Sequence, residues 1–349
     1  MHFFNILVEW HLAHKRVMPW RGEKDPYKIW ISEIILQQTR VKQGWNYYLH
    51  FVEIFPTVEI LASAPQEKVL KVWQGLGYYS RARNLHEAAK QIMEKHKGKF
   101  PENYEDIRKL KGVGDYTAAA VGSIAFGLHY PAVDGNLFRV ICRLFGIFDN
   151  IMSSSTKKTI TEKCLQLMKG APSGEFNEAM MDFGALQCVP QNPDCEKCPF
   201  QNQCYAFAHN VVDALPVKNK HIKLKERYLH YIFYHLPEET IIKKRTENDI
   251  WKGLYELPLI ENEGIENKAL HDLLRHYKHD KKPDDYKRHL LTLQILHLYF
   301  YIINTKDTPV LSEKEQLVSY TQLLQYPFPK TVAKFLEKMQ GADIEFTSC

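Results

Sequence analysis

The chain has no apolar stretch of ~18 residues, the length a helix needs to cross a bilayer. Its longest candidate, residues 290–303, is broken by Thr292, Gln294 and His297. An unbroken apolar run of the signal-peptide kind is also missing at the N-terminus, where His2, Asn5 and Glu9 intervene. A soluble, cytoplasmic protein without membrane attachment is expected. An excess of one charge is lacking too: 46 Lys and Arg against 41 Asp and Glu leave five net positives in 349 residues. That surplus is too small to name a partner. The cysteines number seven, an odd count without a secretory signal, which argues against a disulfide framework. No collagen or solenoid period is present. What remains is an ordinary globular composition, 45% apolar and 25% charged, which excludes disorder throughout.

The first two hundred residues read as helices joined by short turns. Asp25 before Pro26 signals a helix start, and Ile29, Trp30, Ile34, Leu36 and Val41 follow at helical intervals. Further helices are expected over residues 101–110, over the small-residue stretch 116–126, and from near Asp134 to about Gly146. No strand is expected before residue 205. Lys218, Lys220, Lys223, Lys225 and Arg227 crowd a segment around Pro216, which reads as a linker. Beyond it, residues 228–234 and 290–303 have strand composition, while residues 268–277 and 329–339 look helical. The expected organisation is a mainly α domain over 1–209, a basic linker over 210–227, a smaller α+β domain over 228–340, and a flexible tail over 341–349.

Cys188, Cys195, Cys198 and Cys204 form a C-x6-C-x2-C-x5-C run. Four soft ligands in one short loop imply a metal centre. Tetrahedral zinc and an iron–sulfur cluster both suit four thiolates. A single CxxC with unequal outer spacings, wrapped by Pro190 and Pro199, favours a cubane cluster. Cys142 and Cys164 lie in apolar helical settings and are expected to pack as small hydrophobes, and Cys349 has no implied role.

Leu110-Lys111-Gly112-Val113-Gly114 puts two glycines between helices, so that backbone N–H groups open the next helix as an anion site. A glycine turn is also the ordinary way to join two helices. Lys109, Lys111, Arg81, Arg83 and Arg139 are candidates to line a phosphate-tracking face, extended by the basic linker, although each charge taken singly also reads as a solvated one.

The hairpin, Asp134 some twenty residues after it, and the cysteine loop together resemble the helix-hairpin-helix (HhH-GPD) DNA glycosylases of the endonuclease III type. Pro19-Trp20-Arg21, Trp30-Ile31-Ser32-Glu33, Leu36-Gln37-Gln38-Thr39, Gly75-Leu76-Gly77-Tyr78-Tyr79-Ser80-Arg81, Val133-Asp134-Gly135-Asn136 and Phe176-Asn177-Glu178 stand in the order of the adenine-DNA glycosylases within that superfamily. The resemblance implies a mainly α HhH-GPD catalytic domain carrying one 4Fe–4S cluster, with zinc as the alternative, on Cys188, Cys195, Cys198 and Cys204. It also implies a base-excision-repair enzyme acting on double-stranded DNA as a monomer, nucleoid-associated if the source is bacterial. The expected reaction is hydrolytic removal of adenine paired with 8-oxoguanine or guanine.

Excising adenine requires an improved leaving group and stabilisation of an oxocarbenium-like sugar. Glu33 lies among Trp30, Ile31, Ile34 and Ile35, surroundings apolar enough to keep a proton on it, although a surface carboxylate is the commoner fate of a helical Glu. The resemblance makes Glu33 the acid that protonates a ring nitrogen of adenine and later helps activate water. Asp134 reads as a helix N-cap, and the resemblance adds stabilisation of positive charge at the anomeric carbon. Asn136 and Glu178 match supporting positions. Tyr116, which also suits packing beside the hairpin, stands where strand-nicking relatives carry a Schiff-base lysine, implying a monofunctional enzyme. Gln38 and Tyr78 match residues that intrude into the base stack, with Gly112 and Gly114 on the backbone, and a packing anchor is the other reading of Tyr78. Arg21 matches a pocket residue, against a default of an exposed salt bridge.

Trp251-Lys252-Gly253-Leu254-Tyr255-Glu256-Leu257-Pro258 resembles the opening of the family's Nudix-like C-terminal domain, which recognises 8-oxoguanine. The glutamate-rich magnesium-binding signature is missing, so no phosphohydrolase activity is expected. Where the family has a Phe-Ser-His loop, this chain has Leu291-Thr292-Leu293, keeping a hydroxyl and lacking the histidine. Thr292 is the lesion-contact candidate there, with an interior strand as the other reading.

Overall fold

The computed structural model describes residues 3–218, 224–262, 264 and 267–346. Helices come first: α1 (Phe3–His14), α2 (Pro26–Leu36), α3 (Val41–Ile54), α4 (Val58–Ser63), α5 (Gln66–Val72), α6 (Ser80–His96), α7 (Tyr104–Lys109), α8 (Asp115–Phe126), α9 (Gly135–Phe145), α10 (Ser154–Met168), α11 (Ser173–Leu186) and α12 (Tyr205–Ala208). The chain forms two compact units, one of Met1–Ser63 with Asn84–Lys220, the other of Ala64–Arg83 with His221–Cys349. Ala64–Arg83 therefore belongs with the C-terminal residues, although in sequence it sits among the helices expected to form one domain.

Local sequence sets the helix ends in the first unit. Asp25 accepts the N–H of Tyr27 and Pro26 opens α2. The helix stops at Leu36, short of the expected Val41, because Gln38 takes a left-handed φ of 56° and Val41 starts α3. Asn103, with its side chain on the N–H of Asp106, starts α7 three residues after the expected onset. The core gathers Leu7 and Trp10 of α1, Leu137, Val140 and Ile141 of α9, Ile160 and Met168 of α10, and Phe176, Met180 and Phe183 of α11. Phe176 is fully buried, and removing such a ring costs about 3–5 kcal/mol. Cys142 and Cys164 are buried in this core as expected, and burial pushes their thiols up to about 11 and 12.

In the second unit β1 (Lys225–His235), β2 (Glu239–Lys244), β3 (Tyr255–Glu256), β4 (Leu259–Asn262), α13 (Lys268–His276), β5 (Asp285–Leu290), β6 (Gln294–Asn304), β7 (Glu315–Ser319), α14 (Tyr320–Leu323) and α15 (Lys330–Phe346) follow in order. One sheet runs β4-β1-β6-β5 and the other β3-β2-β7. β1 and β6 are parallel, with Tyr231 opposite Phe300, and β5 returns antiparallel to β6. β1 is buried on both faces: Leu229, Tyr231 and Phe233 share a cluster with α15, and Ile232 and Tyr234 share one with α13. That explains its continuous apolar run. The single strand expected over 290–303 is instead two strands, because residues 291–293 form the exposed turn between β5 and β6.

The expected linker is shorter than its composition suggested. Val212 and Leu215 carbonyls accept from Arg143, and Ile151 N–H donates to Val217, tying residues 212–217 to the first unit. At the other end Lys225 already opens β1, while Lys220 and Lys223 lie outside the described residues. α15 runs to Phe346, into the segment expected as a tail, of which residues 347–349 are also outside the described set. Among the described residues no helix is long and apolar enough to cross a membrane.

Candidate active site

In the first unit α2, α8 and α11 bring Glu33, Tyr116, Glu178 and the loop residue Arg21 around one small cavity of ≈ 60 Å³, with Trp20, Ile29, Leu36 and Met181 as apolar wall. Glu33 is 7% exposed. Desolvation raises its pKa to about 7, the Tyr116 hydroxyl hydrogen-bonded to it acts in the opposite direction, and nearby Asp134 adds to the rise. A carboxyl in this state carries a proton for much of the time at neutral pH. Tyr116 also lies 3.5 Å from Met181 Sδ, and burial beside Glu33 keeps its own hydroxyl protonated far above neutrality.

Asp134 caps α9 by accepting the N–H groups of Asn136 and Leu137, each at 2.9 Å, and Asn136 Nδ2 donates to its other oxygen at 2.8 Å. Burial raises its pKa against those three bonds. These bonds fix the carboxylate while leaving it within the electrostatic reach of Glu33. The loop leading to it is held by Asn177, which lies wholly inside and whose Oδ1 accepts from Ala132 N–H at 3.0 Å. Its Nδ2 donates to Ser123 Oγ at 2.8 Å and Tyr130 O at 2.9 Å.

Arg21 is not the exposed ion pair of its default reading. It bonds Glu178 at 2.8 Å and the completely buried Asp182 at 3.0 Å, and Asp182 also binds His11 and Arg16. Composition hides Asp182, Arg16 and His11, although Glu178 and Asp182 share a helix face at i, i+4.

The hairpin joins α7 to α8. Leu110 and Val113 are buried anchors, while Lys111, Gly112 and Gly114 face outward. Gly112 has φ +77° and a Cβ there would sit 2.6 Å from Asn84 Cβ, so only glycine fits. Gly114 is the N-cap of α8 without a side-chain bond, leaving the helix start open. Gln38 stands exposed in its left-handed turn outside the cavity wall.

The cations expected on a phosphate-tracking face divide. Lys109 and Lys111 are exposed. Arg139 is not available, since its guanidinium bonds Cys188 O, Asn136 Oδ1 and Gly184 O inside the first unit. Arg227 is occupied by Asp249 and Glu261. Arg81, in the second unit, lies buried over the rings of Trp73 and Tyr78. Charge in a sequence does not reveal which arginines become internal brackets.

Cys188, Cys195, Cys198 and Cys204 are free and line a common cavity of ≈ 30 Å³ with Val140, Leu144 and Phe183. Arg143, four residues after Arg139 on α9, bonds Cys188 Sγ, Val189 O and Pro190 O. Among the described residues no three or more His, Cys, Asp or Glu converge to hold a single metal ion.

In the second unit Tyr78 and Thr292 meet, hydroxyl to hydroxyl at 2.7 Å, at a cavity of ≈ 630 Å³. Its wall includes Arg83, Asp249, Trp251, His289 and Lys330. Tyr78 is 48% exposed and left-handed, φ +48°, so it is displayed on the surface and not a packing anchor.

Comparison with known proteins places both units in known families. Residues 31–169 match the HhH-GPD superfamily base excision DNA repair proteins and residues 230–338 the NUDIX domain. An adenine DNA glycosylase of Buchnera aphidicola subsp. Baizongia pistaciae is 37% identical over 259 residues, 73% of each chain. The human adenine DNA glycosylase is 40% identical over 213 residues, 58% of this chain and 39% of its own. A thermostable thymine-DNA glycosylase structure aligns with TM-score 0.54 at 32% identity, covering 59% of this chain and 95% of its own. A trapped endonuclease III–DNA covalent intermediate aligns with TM-score 0.50 at 25% identity, covering 59% and 96%. With both family matches in place and 37% identity to an adenine DNA glycosylase across 73% of each chain, the chain belongs to the adenine DNA glycosylases of the HhH-GPD superfamily, hydrolases that cleave N-glycosidic bonds in base excision repair.

Proposed function

We propose that the protein flips adenine out of double-stranded DNA where it pairs with 8-oxoguanine or guanine, and removes it hydrolytically without nicking the strand. The observation that carries this reading is Glu33, a buried carboxyl with its pKa raised to about 7 and bonded to Tyr116 within reach of Asp134. Its proton goes to a ring nitrogen of adenine, the C1′–N9 pair leaves with the base, and Asp134 stabilises the positive sugar carbon. Water then adds to C1′ and returns a proton to Glu33, leaving an abasic site. Arg21, Glu178 and Asn136 hold this arrangement, Gln38 and Tyr78 intrude into the stack, Gly112 and Gly114 take a phosphate, and Thr292 contacts the opposite base. Tyr116 has no amine to form a Schiff base with the sugar, which supports a monofunctional enzyme.

The four cysteines around one cavity fit a single 4Fe–4S cluster, and their unequal C-x6-C-x2-C-x5-C spacing favours it over one zinc ion. When bound, the cluster supplies a four-point cross-link for this loop. An iron-to-protein ratio near four supports it, and stoichiometric zinc replaces it.

Single-turnover adenine release by Glu33→Gln and Asp134→Asn tests the mechanism: both are expected to fall by roughly 10²–10⁴. Wild-type rates in both variants remove it. Borohydride trapping of a lysine–DNA adduct at this site overturns the monofunctional reading.

A further inference from the structure

The second unit contains a charge network that the reaction does not use. Arg227 on β1 grips Asp249 with two nitrogens, at 2.9 and 2.6 Å, and Glu261 on β4 with two more contacts, at 2.6 and 2.8 Å. Arg245 bonds Asp249 at 2.8 Å and the buried Glu256 on β3 at 2.6 Å, and Tyr231 donates to the same Glu256 oxygen. Lys243 reaches the other Glu256 oxygen at 3.7 Å. Both arginines are nearly enclosed, with side chains 10% and 7% exposed. Three cations meet three carboxylates, so the network is neutral.

Asp249 is the one member that lines the ≈ 630 Å³ cavity. It sits in the β2–β3 loop, residues 245–254, together with Ile250 and Trp251, which also line the cavity. Trp251 is held at φ +59°, a conformation that a bulky residue adopts only when its surroundings impose it. The imposition is visible in the backbone: Gly253 N–H bonds Arg245 O at 2.7 Å, Arg245 Nε bonds Ile250 O at 3.1 Å, and Arg83 bonds Lys252 O at 2.6 Å. The Trp251 ring lies 6.3 Å from His289, which precedes Thr292 by three residues.

We infer that Arg227 and Arg245 are positioning residues for recognition of the base opposite adenine: through Asp249 they set the loop that presents Trp251 as a wall of that cavity. This rests on the reading of the second unit as the opposite-base reader. The arginines also neutralise Asp249, whose uncompensated charge would repel the phosphates of the lesion strand. Removing Arg227 leaves Asp249 held by Arg245 alone and the network with one negative charge in excess beside the cavity, so the loop would loosen.

The test measures single-turnover adenine release from duplexes identical except for 8-oxoguanine or guanine opposite adenine. Proteins compared are the wild type, Arg227→Met, Arg227→Lys, Asp249→Asn and Trp251→Leu, each checked for folding by thermal melting. The 8-oxoguanine preference is expected to fall about tenfold in Arg227→Met, Asp249→Asn and Trp251→Leu, with partial recovery in Arg227→Lys. A general loss of stability would lower both rates alike. If Arg227→Met does not fold, Asp249→Asn and Trp251→Leu decide. Folded variants that keep the wild-type preference overturn the inference. A wild type without any preference overturns the reading of the second unit, and the inference with it.

Discussion

At the scale of the residue, Glu33 shows how burial changes the proton affinity of a common side chain. Its pKa rises from 4.5 to about 7 because desolvation disfavours the charged form more than Tyr116 supports it. The folded state thus keeps a proton between those values that the unfolded chain has lost. The stability tied to that proton is fully present below pH 4.5 and is lost as pH rises through about 7, a change of about 3 kcal/mol. Two measurements follow from this sign. The rate of adenine release should decline as pH rises through about 7, where the acid is titrated. Glu33→Gln should melt at a higher temperature than wild type at pH 8 and at nearly the same temperature at pH 4.5. A variant no more stable than wild type at pH 8 would show that Glu33 is not held out of water. Surroundings rich in Trp and Ile made this residue legible in sequence. Asp182 was not, since its importance comes from Arg16, Arg21 and His11, which are far away along the chain.

At the scale of the element, α9 and α11 do more than their amphipathic patterns reveal. α9 presents Asp134 and Asn136 at its start, then Arg139 and Arg143 one turn apart facing the cysteine loop. α11 places Asn177 where it holds the chain entering Asp134. Asn177→Ala removes three hydrogen bonds, two of them buried, and strands the Ala132 N–H, a destabilisation of about 3 kcal/mol. A lower melting temperature together with slower adenine release on every duplex is expected, because the displaced loop carries Asp134. A lower melting temperature with unchanged release would make Asn177 structural only. The helices themselves were readable from capping residues and periodicity. The turn at residues 291–293 was not, because Leu-Thr-Leu has strand composition and only the pairing of β5 with β6 bends it outward.

At the scale of the whole molecule, the cysteine loop and the proposed catalytic residues are separate parts of one unit. The four thiols line their own cavity, and Glu33, Tyr116 and Glu178 line another. Cys198→Ala is therefore expected to reduce folding yield and DNA affinity more than the rate of the chemical step once DNA is bound. Equal affinity with a slower step would instead couple the loop directly to catalysis. The modest net charge of +5 is consistent with DNA binding only because charges are sorted on folding. Lys109 and Lys111 stay outside while Arg139, Arg143 and Arg227 are spent inside on carbonyls and carboxylates.

Local signals in the chain were enough to specify the helix starts at Asp25 and Asp134, the glycine turn at Gly112, the spacing of the four cysteines, and the apolar strand β1. Capping, left-handed backbone and ligand spacing are short-range properties, so a few neighbouring residues suffice to set them. Folding in three dimensions was needed to settle which charges became internal, that Ala64–Arg83 belongs with the C-terminal residues, and that Tyr78 meets Thr292 across 214 positions. Those outcomes depend on desolvation and on the meeting of distant segments, and neither exists until the chain has folded.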